Sequence, residues 1–100
     1  MAMTQQQHLF LKLSEECHEV GQMASKIMQF GLDEVYDGDG NTLTNRERLF
    51  AELNDLLGTL DMLNSQELFG FEPDFAAKIR KQQKIADYRE YSVQLGLVEG

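Results

Sequence analysis

Three carboxylates fall within five positions in Glu15-Glu16-Cys17-His18-Glu19, and two more follow in Glu52-Leu53-Asn54-Asp55. Residues three apart are neighbours on one face of a helix, so Glu16 pairs with Glu19 and Glu52 with Asp55 if both stretches are helical. Four carboxylates brought together at a helix seam cannot all stay ionised without strong repulsion. A hard divalent cation relieves it, and an all-oxygen ligand set suits magnesium, with manganese as a substitute. Magnesium keeps several waters and commonly binds phosphates, so such a site is incomplete without a ligand.

The elements that would carry these acids are legible as helices. Thr4 is an N-cap for a first helix ending near Phe30, where Gly31 supplies a stop. Its apolar stripe is Leu9, Leu13, Val20, Ala24 and Ile27, and at about 100° per residue Glu16 falls inside that stripe. Glu19 lies at the stripe's edge, while Glu15 and His18 point further out. A carboxylate on a buried face is costly unless it is paired or bound to a metal, so Glu16 needs a partner. The competing reading is that all four acids are ordinary surface residues; the placement of Glu16 argues against it.

Residues 31–44 read as a loop rich in Gly, Asp and Asn. Thr44-Asn45-Arg46-Glu47 is a capping box opening a second helix, which carries Leu49, Leu53, Leu56, Leu57, Leu60 and Leu63 and ends near Gly70. A third helix starts at about Pro73 and continues to Gly96. No strand-like alternation, repeat or low-complexity tract interrupts them. The expected fold is all-α, a single domain over 1–100 built as a bundle of about three helices. Phe50, Met62 and Phe69 are an apolar surplus on the second helix, which predicts completion by oligomerisation, as a homodimer or homotetramer, with closure by the third helix as the alternative.

Composition narrows the partners. The chain has 100 residues and a formal net charge of −8, which disfavours broad attraction to nucleic acid. No apolar run is long enough to span a membrane, and no secretory leader is recognisable before the first helix. The single Cys17 excludes an internal disulfide, and a reducing cytoplasm is the expected location.

The ordered pair Glu15-Glu16-Cys17-His18-Glu19 … Glu52-Leu53-Asn54-Asp55 resembles the E-E-x-x-E … E-x-x-D signature of MazG-like nucleotide pyrophosphohydrolases, the all-α NTP pyrophosphatases. The resemblance covers both helices, and the gap between half-motifs is on the long side. It implies Glu16, Glu19, Glu52 and Asp55 as magnesium ligands, with Glu15 supporting them or orienting a water; Glu15 and Glu16 are the expected catalytic pair. It also implies hydrolysis of a nucleoside triphosphate to the monophosphate and pyrophosphate, in nucleotide-pool control in the cytoplasm of a bacterial or phage-infected cell.

The third helix supplies a cationic complement. Five of the nine basic residues (Lys78, Arg80, Lys81, Lys84, Arg89) sit there, and Lys78, Lys81 and Lys84 are the expected substrate-binding residues, acting on phosphates as point charges. Intrahelical pairing with Asp87 or Glu90 is the alternative for each. Gln82 stands where related proteins often have Asn.

Other signals point elsewhere. Asp37-Gly38-Asp39-Gly40-Asn41 resembles the start of an EF-hand loop, but Thr42 and Arg48 stand where Gly and Glu are required, and Asp-Gly turns explain it better. Glu15-x-x-His18 resembles half of a di-iron bundle motif, but His8 is preceded three residues earlier by Gln5, so no second half exists. An acidic, Leu-rich helical interaction module of the antitoxin or adaptor kind remains the non-enzymatic alternative. Phe30, Tyr36 and Phe71 are candidates for a base pocket.

Overall fold

The computed structural model describes residues 1–100. It is all-helical: α1 spans Gln5–Phe30, α2 Asn45–Glu67 and α3 Phe75–Gln94. The starts of α1 and α2 are set by two capping boxes of the same kind. Thr4 Oγ1 accepts from the Gln7 N–H at 3.0 Å while the Thr4 N–H donates to Gln7 Oε1 at 2.9 Å. Thr44 and Glu47 repeat the exchange, each bond at 3.1 Å. Each box satisfies donors that the first helical turn leaves free. Gly31, at φ 97°, ends α1 with its N–H on Ile27 O at 2.8 Å.

The two predicted ends on either side of the last linker shift. α2 stops at Glu67 rather than near Gly70, with Leu68 in the left-handed region at φ 53°. The Asn64 side chain then takes both backbone groups of Phe71, each at 2.9 Å, which turns the chain away from the helix axis. α3 starts at Phe75 rather than at about Pro73, and Asp74 caps it by accepting from the Ala77 N–H at 3.0 Å.

α1 and α2 pack as an antiparallel hairpin. At the closed end, Asn45 Nδ2 donates to Gly31 O at 3.0 Å, and the Asn45 N–H donates to Glu34 O at 3.0 Å. At the open end the Phe10 and Phe69 rings meet edge to face, centroids 5.6 Å apart. The inward positions of α1 are Leu9, Leu13, Glu16, Val20, Met23 and Ile27. Those of α2 include Asn45, Leu49, Glu52, Leu56, Thr59 and Leu63. Both sets alternate steps of four and three, the spacing that keeps one seam facing a partner helix. Ala24, expected in the stripe, is exposed; Met23 takes that place because the seam advances by about 3.5 residues per turn.

α3 touches neither α1 nor α2. The radius of gyration is 17.5 Å, against about 13 Å for a compact domain of this length. Only Leu9, Met23 and Leu63 among the apolar residues are buried, and Leu63 alone completely. The third helix therefore does not close the core within one chain. Phe50, Leu53 and Leu57 on α2, and Phe75, Ile79 and Tyr88 on α3, are left exposed.

Candidate metal centre

Glu16 and Glu52 occupy seam positions that a heptad reserves for apolar side chains, which brings them together from opposing helices. One turn along the same face of α2, Asp55 completes the group. Carboxylate oxygens of Glu16, Glu52 and Asp55 all lie within 4.8 Å of one another. Glu16 and Glu52 are half-buried and Asp55 is exposed, so the group opens to solvent on one side. The Oε2 atoms of Glu16 and Glu52 are sealed from solvent and have no hydrogen-bond partner.

Buried acceptors without donors are expensive. Burial is the main reason the Glu16 carboxyl is raised above the ordinary glutamate range, with Glu19 adding repulsion and hydrogen bonding, then Asp55 and Glu15. The Glu52 carboxyl is raised likewise, first by burial and then by Glu19. No cation forms an ion pair with these carboxylates: the two ion pairs are Lys12–Glu15 and Arg46–Asp33, and Lys12 acts on Glu16 and Glu19 only through space.

The five predicted acids therefore separate. Glu16, Glu52 and Asp55 converge. Glu19 is exposed at the rim, outside the tight group but beside both glutamates. Glu15 turns outward and is held by Lys12 Nζ at 3.0 Å; that carboxylate raises the Lys12 ammonium in turn, first by this hydrogen bond. His18 Nδ1 lies 2.7 Å from Ser14 O, so Glu15 and His18 are both engaged outside the seam. Cys17 is a free, exposed thiol.

Lys78, Lys81 and Lys84 are exposed on α3 and are not brought to the carboxylates, because α3 does not pack on the hairpin. Neither alternative pairing forms: Asp87 accepts instead from Gln83 at 2.9 Å, and Lys84 stands 6.0 Å over the Tyr88 ring. The Asp/Gly loop makes turns, with Gly40 N–H on Asp37 O at 3.1 Å and Asn41 N–H on Asp39 Oδ1 at 3.0 Å.

Two cations missed in the sequence lie further along the hairpin. Lys26 and Arg48 line a cleft of about 440 Å³ at its closed end, together with Phe30 and Tyr36. The available signal was spacing: Lys26 is seven residues after Glu19 and Arg48 four before Glu52, both same-face intervals. Phe71 lies instead at the far end of α2, hydrogen-bonded to Asn64.

No protein-family model matches the chain, and no curated protein or solved structure does either.

Proposed function

We propose that the chain is a magnesium-dependent nucleoside triphosphate pyrophosphohydrolase of MazG-like type, releasing monophosphate and pyrophosphate. The observation that carries this reading is the pair of sealed, partnerless Oε2 atoms on Glu16 and Glu52, facing Asp55 across a gap no donor fills. A cation with oxygen-only preference suits that donor set, since neither Cys17 nor His18 belongs to it. Manganese is an adequate substitute for the same reason.

Bound there, magnesium would neutralise phosphate charge and acidify a coordinated water. The rest belongs to the chain. Glu16 and Glu52 hold the centre from two seam positions, and Asp55 from the solvent-facing side. Glu19 lies beside two of them yet outside the group, which suits the role of accepting a proton from the attacking water. Glu15, tied to Lys12, keeps at most an orienting part. This exchanges the roles that the motif alone suggested for Glu15 and Glu19.

The active form is at least a homodimer. One chain leaves apolar side chains of α2 and α3 exposed together, and α3, carrying Lys78, Lys81 and Lys84, has no place to dock within it. Packing of α3 against the acidic hairpin of a second copy would cover that surface and bring the lysines towards phosphate. The free thiol of Cys17 goes with a reducing compartment.

The test is a panel of ribo- and deoxyribonucleoside triphosphates with magnesium, products separated by ion exchange. Monophosphate and pyrophosphate, formed with magnesium and absent with chelator, are expected. Diphosphate and orthophosphate would assign a different phosphohydrolase. No turnover across the panel would favour the interaction module.

A further inference from the structure

α2 carries two apolar stripes. One is the seam against α1. The other runs Phe50, Leu53, Leu57 and Leu60 in steps of three and four, about 100° further round the helix. Phe50 and Leu57 keep 54% and 56% of their surface exposed. α3 has a stripe of its own in Phe75, Ile79, Ala86 and Val93, with Phe75 78% exposed. Charge matches as well: α3 holds five basic against two acidic residues, and α2 five acidic against two basic. The two helices are complementary and consecutive, yet they do not touch.

Length does not keep them apart. Residues 68–74 join Glu67 to Phe75, and connections of about two to eight residues ordinarily return a helix antiparallel to its neighbour. The linker's course is fixed by its own bonds instead. The second stripe of α2 reaches its next position at Asn64, where an apolar residue would extend it. The Asn64 carboxamide is spent on the linker: Oδ1 accepts from the Phe71 N–H and Nδ2 donates to Phe71 O, both at 2.9 Å. Leu68, at φ 53°, takes a left-handed conformation that is unfavourable for a residue with a β-carbon, and Gly70 follows at φ 80°. Pro73 removes one more backbone rotation just before the helix.

Both bonds of Asn64 go to one residue, so they set the direction in which the chain leaves α2 as well as its distance. With Phe71 held, Pro73 fixed in φ and Asp74 engaged in capping Ala77, the short run into α3 has little freedom to fold back. A second copy escapes that constraint, because its α2 stripe can be approached from a direction the linker does not dictate.

We propose that the bonds from Asn64 to Phe71 clamp α3 away from its own hairpin, so that the α3 stripe docks on the α2 stripe of a second copy, from Phe50 to Leu60. The apolar faces pair and the basic helix lies against the acidic one. The proposal rests on the homodimer reading above. It adds the face that receives α3 and the pair of bonds that denies α3 to its own chain, and its test does not involve phosphate chemistry.

The experiment joins sedimentation equilibrium to disulfide trapping, in full chains where Cys17→Ser removes the native thiol. A chain with Leu53→Cys or Leu57→Cys is mixed with a mass-tagged chain carrying Ile79→Cys or Ala86→Cys and oxidised mildly with diamide. At least one pairing should trap a cross-linked heterodimer, and Arg80→Cys, off the α3 stripe, should not. Asn64→Ala should raise the dimer Kd about tenfold, the scale of two lost hydrogen bonds. A chain holding both cysteines should then cross-link within itself. Asn64→Asp keeps the acceptor for the Phe71 N–H but loses the donor, and should fall between; it decides the matter if Asn64→Ala does not fold. Leu57→Glu, on an exposed position of the receiving stripe, should dissociate the dimer with helicity unchanged. A dimer that no stripe pairing traps overturns the docking and leaves the homodimer standing. A trapped dimer indifferent to both Asn64 variants overturns the clamp. A wild-type monomer removes the docking and the homodimer together.

Discussion

Glu16 on α1 and Glu52 on α2 each present a sealed Oε2 without a hydrogen-bond partner, and their carboxylates meet Asp55 within 4.8 Å. Two acids facing each other at seam positions would be replaced at little cost by leucines if the hairpin needed only to fold. Their presence puts a standing electrostatic cost at the centre of the molecule, and that cost shapes how the protein responds to pH, metal and mutation.

Acidification should stabilise the metal-free protein. Both carboxyls are raised in the fold, Glu16 and Glu52 alike by burial and by Glu19. The native state thus binds more protons than the unfolded chain, so stability falls as pH rises through the folded values. The cost is absent below the unfolded glutamate value of about 4.3. Urea denaturation without metal should therefore give a higher midpoint near pH 5 than at pH 7.5. A midpoint rising over that range would mean the two carboxylates are not destabilised by the fold.

Magnesium should raise the melting temperature near neutral pH, by mass action on the native state alone. Glu16→Gln removes one of the crowded charges, so the metal-free melting temperature should hold or rise slightly. The same variant should lose most of the magnesium shift. A full magnesium response in Glu16→Gln would move the metal away from this seam.

Glu19→Gln and Glu15→Gln separate the two outer acids. If Glu19 accepts the water's proton, its amide variant should keep the magnesium melting shift while kcat falls by about 10²–10⁴. Glu15→Gln removes only the exposed pair with Lys12, and kcat should stay within about threefold, as expected of a surface ion pair. Equal losses in both would return Glu15 to the chemistry.

Sedimentation equilibrium at micromolar concentration should find at least a dimer. Truncation after Phe71, removing α3, should lower the association state and expose the hairpin's apolar face to a hydrophobic dye. A full-length monomer with a cooperative melt would show that one chain suffices.

Much of the hairpin was legible because helix signals are local. Thr4 and Gln7, and Thr44 and Glu47, sit three residues apart and cap their own helices wherever those helices go. The apolar period of α1 placed Glu16 in the stripe, and burial there follows from geometry within one helix. The end of α2 was misplaced by three residues because Asn64 reaches across to Phe71, a link seven residues long that no periodicity announces.

The sequence by itself determined three helices, the caps of the first two, the acidic pairs and the presence of a carboxylate on a buried stripe, all of which depend on intervals of three and four residues. Only the tertiary structure decided which acids meet. The register of α1 against α2 seats Glu16 against Glu52 and Asp55 and leaves Glu19 at the rim. The cleft joining Lys26 and Phe30 to Tyr36 and Arg48 forms because Asn45 closes the hairpin onto Gly31, across fourteen residues. The separation of α3 has the same origin in long-range packing: its basic and apolar faces are legible residue by residue, but a helix period carries no information about which surface will cover it.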